Sequence, residues 1–368
     1  MIINLKSQTD LSGLYVVFYG STNLETKGIY GISHLLEHLL CKNIDHLQDE
    51  YETMGIDWNA YTSSNEIVFH LTGLDSILKK YKYNFVDLLT NFNITKEQFE
   101  NERQIVLEEY ADYFNNQTYS HYMNLFRKKY NKFDAIGLRQ DLESLTFMDC
   151  IKFFEKQFQK PSKIINVSKK NPFEYDVDFD TPKYKQDFKA GDYKADIEVG
   201  NDFKDKTSMI ILSPVIKSDY PTISFINAML SSGLTSPLYQ EVREKRGLAY
   251  YVSMSLDRIG NEGINEISTL TSNKNVDKVI ECVNEVIGNP DKYMTKERFD
   301  IIKSSYLIRF KKQEINRFSN VNKWIGPKEW NLSEIIRDIT FDDVMKVYKN
   351  QFNIKDWYVS NDKKEFKL

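Results

Sequence analysis

LTFMDCIKFFEKQF, residues 145–158, returns as ITFDDVMKVYKNQF, residues 339–352, with Thr, Phe, Asp, Lys, Gln and Phe kept in step. A match of this length in one register marks an internal repeat, which has to be recognised before single elements are read. Two further pairs agree with it. ITKEQF (94–99) lies against MTKERF (294–299), and ISHLLEHLL from Ile32 lies against ISFINAMLS from Ile223. The offset drifts by a few residues from pair to pair, as loop insertions would make it, so the chain holds two copies of one folding unit.

Each copy reads as a strand, a helix, a strand hairpin, two further helices and closing elements. Period-2 stretches such as EIVFHLTG (66–73) alternate with helical ones such as that after Thr95. The expected class is α+β: two homologous domains of mixed, mainly antiparallel sheet packed with helices. Thr95 is placed as an N-cap, Gln98 completes a capping box, and Ile94 and Phe99 form a hydrophobic staple; Thr295, Met294 and Phe299 repeat the pattern. The first proline is Pro161, and three prolines fall between 161 and 182 in a polar stretch that runs on through KYKQDFKAGDYKAD. The expected division is a first domain over 1–170, a linker over 171–191 and a second domain over 192–368.

Of the 368 residues, 41% are hydrophobic, 14% aromatic and 28% charged, which excludes disorder and collagen-like repeats. The 49 basic and 53 acidic residues nearly balance, so no long-range field draws in phosphate backbones or anionic lipid, and nucleic acid and membrane are not expected as partners. The first residues hold no apolar run of signal-peptide length, and apolar stretches elsewhere are strand-sized, so a soluble cytoplasmic protein is expected. Cys41, Cys150 and Cys282 are an odd, widely spaced set without a C-x-x-C pair, and are read as reduced thiols.

GISHLLEHLL (31–40) is apolar around most of a helix, yet His34, Glu37 and His38 interrupt it. His34 and His38 are one turn apart on one face, the spacing that lets two imidazoles reach one ion, and burying such groups without partners is costly. A lone buried histidine is more often a hydrogen-bonded core residue. Here the repeat acts as an internal control, because the second copy has Phe225, Ala228 and Met229 at these places and so packs without the polar trio. A third ligand is sought on another buried helix. In FENERQIVLEEY (99–110), Phe99, Glu102, Ile105, Val106 and Glu109 follow helical spacing and form one apolar stripe, with Glu108 about 100° away from Glu109. The second copy has Ile302 and Phe310 near the two glutamates. His46, His70 and His121 lack ligand spacing, KKYKYN (79–84) reads as a solvated face, and REKR (243–246) reads as surface charge apart from Arg243.

H-x-x-E-H, here His34 to His38, is the inverted zinc motif of the inverzincins. With Glu109 downstream, the Gly20–Ser21 turn, NAYTS (59–63), ERQIVLEE (102–109) and REKRGLAY (243–250), the chain resembles the pitrilysin family, which includes insulin-degrading enzyme and mitochondrial processing peptidase. The resemblance implies a zinc endopeptidase with Zn2+ held by His34, His38 and Glu109, Glu37 as general base, and Glu102 as an auxiliary glutamate. It implies substrate peptides bound as an extended strand along Asn59, Ala60, Tyr61 and Thr62. It further implies that Arg243 and Tyr250 contact the substrate and its scissile carbonyl. Such a chain resembles the short two-domain bacterial type, which would close its chamber as a homodimer or with a different partner subunit. The alternative is a noncatalytic peptide-binding or assembly subunit of the same fold.

Overall fold

A computed structural model describes residues 1–130, 134–180, 205–259, 262–315, 321–326, 332–361 and 365–367. The chain divides into two compact units, neither contiguous in sequence: Met1–Asp112, Phe133–Gln186 and Gln313–Ile325 form the first, and Tyr113–Lys132, Asp187–Lys312 and Gly326–Leu368 the second. The expected linker, 171–191, passes outside the described residues from 181 onward. Before that point Phe173 is buried, and its backbone exchanges hydrogen bonds with the Asn4 amide at 2.8 and 3.0 Å.

In the first unit the strands are β1 (Ile2–Lys6), β2 (Leu11–Tyr19), β3 (Asp57–Thr62), β4 (Glu66–Leu74) and β5 (Lys163–Ser168), in the order β1-β5-β2-β4-β3. Only the β1–β5 pairing is parallel. LYVVF in β2 is buried on both faces, so it reads as a continuous apolar run rather than an alternating one. Helices of nine or more residues in the first repeat are α1 (Ile32–Lys42), α2 (Lys82–Thr90), α3 (Lys96–Phe114), α4 (Gln117–Tyr130) and α5 (Phe147–Gln157). On one sheet face Phe18 meets Phe69 edge-on and Phe158 at the end of α5, with ring centroids 6.1 and 5.9 Å away. α1 packs here against β3, α2 and α5.

The second unit repeats the plan with β6 (Lys206–Leu212), β7 (Ala249–Ile259), β8 (Glu262–Ser272), β9 (Tyr358–Asn361) and β10 (Glu365–Lys367), in the order β10-β9-β6-β8-β7. Its long helices are α6 (Tyr220–Ser231), α7 (Val276–Gly288), α8 (Lys296–Ile315) and α9 (Phe341–Gln351). Thus α1, α3 and α5 correspond to α6, α8 and α9, and the matched segments fall on matched elements. Thr146 and Thr340 each close a full capping box, with Asp149 and Asp343. Thr95 does so with Gln98, at 2.8 and 3.2 Å. At Thr295 only half the box survives. Its hydroxyl accepts from the Arg298 N–H at 3.1 Å, but the Arg298 side chain donates to carbonyls of Ala228, Met229 and Ser232, fixing the end of α6 instead.

The other sheet faces are covered by exchanged segments. In the first unit Val321 and Ile325 lie on Tyr15, Val17, Val68, Ile165 and Val167, and the Tyr19 hydroxyl donates to the Ile325 carbonyl. In the second, Leu125 and Phe126 of α4 lie on Ile210, Leu212 and Ile264. His121, on the same helix, sits between the Ser208 and Ser360 hydroxyls at 3.0 and 2.9 Å, a buried core histidine.

KKYKYN does not form a wholly solvated face. Lys82 is 2% exposed, and its ammonium donates to Ser12 Oγ at 2.7 Å and Asn166 Oδ1 at 2.6 Å. Neutral acceptors only partly replace water around a charge, so burial lowers this lysine to about 8, with Asp75 working the other way. The unfolded lysine holds its proton up to about 10.5, so between pH 8 and 10.5 the unfolded chain binds more protons and stability at this position rises with pH. Lys82→Met removes that dependence. Denaturant titrations should show wild type gaining on Lys82→Met by on the order of 3 kcal/mol across that window, whereas a constant difference would contradict the assignment.

Candidate metal centre

α1 begins where the chain is held from a distance. The Glu25 carboxylate accepts from the Gly31 and Ser33 N–H groups, both at 2.9 Å, and so caps the helix from outside the usual capping position. Burial raises this carboxyl to about 7 although both backbone donors favour its ionised form. Gly31, at φ 99°, is pressed by Gly137, where a Cβ would lie 2.3 Å from the Gly31 nitrogen. Glycine at 137 therefore sets how closely this loop approaches the helix start.

From that start, α1 presents His34 and His38 with ring centroids 4.8 Å apart and nearly perpendicular. α3 brings Glu109 to them. Its carboxylate oxygens lie 3.6 Å from His34 Nε2 and 3.7 Å from His38 Nε2. Each of the three residues offers a donor atom within 4.8 Å of the others, and this is the one such group among the described residues. The separations are long for hydrogen bonds but close to the roughly 3.3 Å edge of a tetrahedron with zinc–ligand bonds of about 2.0 Å. Burial first, and His38 second, lower His34 to about 3, which keeps its ring in the neutral form a metal requires.

The second layer orients the first. His38 Nδ1 lies 3.2 Å from Glu102 Oε2, which fixes the tautomer that leaves Nε2 free to ligate, and Glu102, itself buried, receives Lys42 Nζ at 3.0 Å. Glu108 instead points to Gln104 at 3.4 Å on the exposed side of α3. Ile105, expected in the same apolar stripe as the glutamates, is 42% exposed: the stripe runs through Phe99, Glu102 and Val106. In the second unit the corresponding places hold Phe225, edge-on to Phe299 and tilted against Tyr306, with buried Ala228, Met229, Ile302 and Phe310 around them.

Glu37 is 9% exposed and lies one residue from His38. Burial raises its carboxyl above the ordinary range, opposed by a hydrogen bond from Thr62 Oγ1 to its Oε2 at 2.6 Å. The sequence held no signal for this contact, since Thr62 lies at the end of β3. Asn59, Ala60, Tyr61 and Thr62 all lie on β3, which pairs with β4 and is an edge strand of the sheet among the described residues. Its residues alternate, Trp58, Ala60 and Thr62 being the more covered set. A pocket of about 410 Å³ opens beside them, lined among others by Glu37, Cys41, Gln48 and Trp58. Burial, with Glu37, Asp45 and Glu102 nearby, raises the Cys41 thiol well above its ordinary value, which favours the protonated form.

In the second unit, a π-helical turn at Gln240–Glu244 precedes β7, and it brings Arg243 over the Tyr250 ring at 4.5 Å and the Tyr239 ring at 5.0 Å. Tyr250 is 77% exposed. The pair read from the sequence is therefore a physical pair.

Residues 2–135 match the family model described as insulinase, peptidase family M16, and residues 147–306 match the peptidase M16 inactive domain. The chain belongs to peptidase family M16. An uncharacterized zinc protease of Rickettsia felis is 24% identical to this M16 chain over 362 residues, spanning 88% of it and 85% of the relative. A probable mitochondrial-processing peptidase subunit beta of Schizosaccharomyces pombe is 26% identical over 151 residues, 39% of this chain and 33% of that one. Among solved structures, a protease from Helicobacter pylori superposes with a TM-score of 0.78 at 17% identity, covering 98% of this chain and 96% of that one. A peptidase M16 inactive domain from Pseudomonas fluorescens also gives 0.78, at 15% identity and 98% and 94% coverage. The M16 fold is thus shared by proteins described as proteases and by one described as inactive. No helix among the described residues is long and apolar enough to cross a membrane.

Glu109→Gln should lose zinc on dialysis while Glu108→Gln keeps it, as metal analysis will show; equal losses would place the ligand wrongly. Glu102→Gln should weaken retention by about 10- to 100-fold, the usual cost of losing the group that orients a ligating histidine.

Proposed function

We propose that this M16 chain is a zinc endopeptidase acting on peptides or unfolded segments. The observation that carries the reading is the convergence of His34, His38 and Glu109 from two helices, with Glu37 beside them. Two imidazoles and one carboxylate are a donor set that leaves a fourth position open, as catalytic zinc sites do. When bound there, zinc would supply Lewis acidity toward water and a peptide carbonyl. Glu37 takes the proton of the attacking water and passes it to the leaving amine. β3, the edge strand of its sheet among the described residues, holds the substrate backbone by strand addition, which orients the peptide while reading little of its sequence.

Arg243 and Tyr250 are proposed to act on the substrate from the second unit of a partner subunit, Tyr250 donating to the carbonyl oxygen as charge develops on it. A homodimer would provide both halves of such a site. Relatives named as subunits of a processing peptidase fit an assembly of this kind, and a cytoplasmic setting is proposed with it.

Glu37→Gln should keep its zinc and lose at least about 100-fold in turnover of a quenched fluorescent peptide, wild-type activity being abolished by a chelator and restored by zinc. A wild-type chain that binds peptide without chelator-sensitive cleavage would favour the noncatalytic subunit instead.

A further inference from the structure

Thr62 stands at the end of β3, but its side chain turns toward α1 and donates to Glu37 Oε2 at 2.6 Å. Its position is tightly fixed. Thr62 pairs with Ile67 in the hairpin, and the next residue, Ser63, closes the turn through its N–H to the Glu66 carbonyl at 2.8 Å and its hydroxyl to the Glu66 carboxylate at 3.0 Å. The Asn65 and Glu66 N–H groups in turn donate to Ser63 Oγ at 3.2 and 3.1 Å. A β-branched side chain on such a backbone has few rotamers open to it, so the hydroxyl is presented in one direction. Glu37, by contrast, is an unbranched side chain with several staggered rotamers to choose from before it meets a partner. Its Oε1 accepts no hydrogen bond among the described residues, and so remains the oxygen able to handle a water proton.

We propose that Thr62 is a positioning residue for Glu37: its hydroxyl holds one carboxylate oxygen and thereby aims the other at the metal-centred site. The inference rests on the peptidase reading above and deepens it. Because Thr62 belongs to the strand that would hold the substrate, one rigid element sets both the peptide backbone and the carboxylate that serves it. The fixed spacing between them matters, since a displacement of about 1 Å at a reacting group can cost on the order of 100-fold in rate. Thr62 therefore contributes through its side chain, whereas a strand-addition role alone would use its backbone and tolerate any β-forming side chain.

The test compares wild type, Thr62→Val, Thr62→Ser and Glu37→Gln in steady-state cleavage of one quenched peptide, with zinc content measured on each. Thr62→Val keeps shape and β-propensity but lacks the hydroxyl; kcat should fall about 10- to 100-fold with KM within about twofold and zinc retained. Thr62→Ser restores the donor, and kcat should return to within a few-fold of wild type. Thr62→Val with wild-type kcat, or Thr62→Ser as impaired as Thr62→Val, would overturn the role of Thr62 while leaving the peptidase reading intact. Loss of zinc or of folding in Thr62→Val together with full activity in Thr62→Ser would still support the hydroxyl, whereas the same loss in both would overturn it. An inactive wild type would overturn the peptidase reading, and this inference with it.

Discussion

The contact between α1 and α3 governs the first unit. Two imidazoles and a carboxylic acid cannot be placed on an apolar helix without partners, because removing them from water costs more than a marginally stable fold can absorb. α3 answers with Glu102 and Glu109, and Lys42 balances the more deeply buried of the two. The arrangement satisfies Glu102 and His38 within the protein, while Glu109 and the two Nε2 atoms face one another at separations suited to an ion. Polar side chains brought together from two helices and incompletely matched to one another form the kind of donor set that an ion would complete.

The second unit shows that the scaffold does not need this polarity. At the matching helix pair, α6 and α8 meet through Phe225, Phe299, Tyr306 and Ile302, an ordinary aromatic and aliphatic core. One backbone plan thus carries two solutions to the same packing problem. The first sets polar side chains where the second keeps apolar contacts, and the second carries its distinctive pair with Arg243 in the π-helical turn and Tyr250 at the start of β7.

What could be read in the sequence was whatever depends on regular spacing. The i, i+4 spacing of His34 and His38, the cap at Thr95 and the repeat itself are all periodic or local signals, and the structure carries each of them. Features set by the third dimension could not be read in this way. Lys82 looked like part of a charged surface because nothing nearby in sequence announces Ser12 and Asn166. Ile105 shares the helical spacing of the stripe, yet α3 is rotated so that it faces outward. Glu25 caps α1 from six residues before Gly31, and the Thr62 hydroxyl meets Glu37 only because β3 lies beside α1.

The exchanged segments carry a consequence for how such a molecule can be built. Each sheet has one face covered by residues that come, in the chain, from the middle of the opposite repeat. A single repeat expressed by itself would leave Tyr15, Val17 and Ile165, or Ile210, Leu212 and Ile264, open to water, an apolar surface that invites association. Covering both sheets therefore takes both repeats, and neither half of the chain completes its own core.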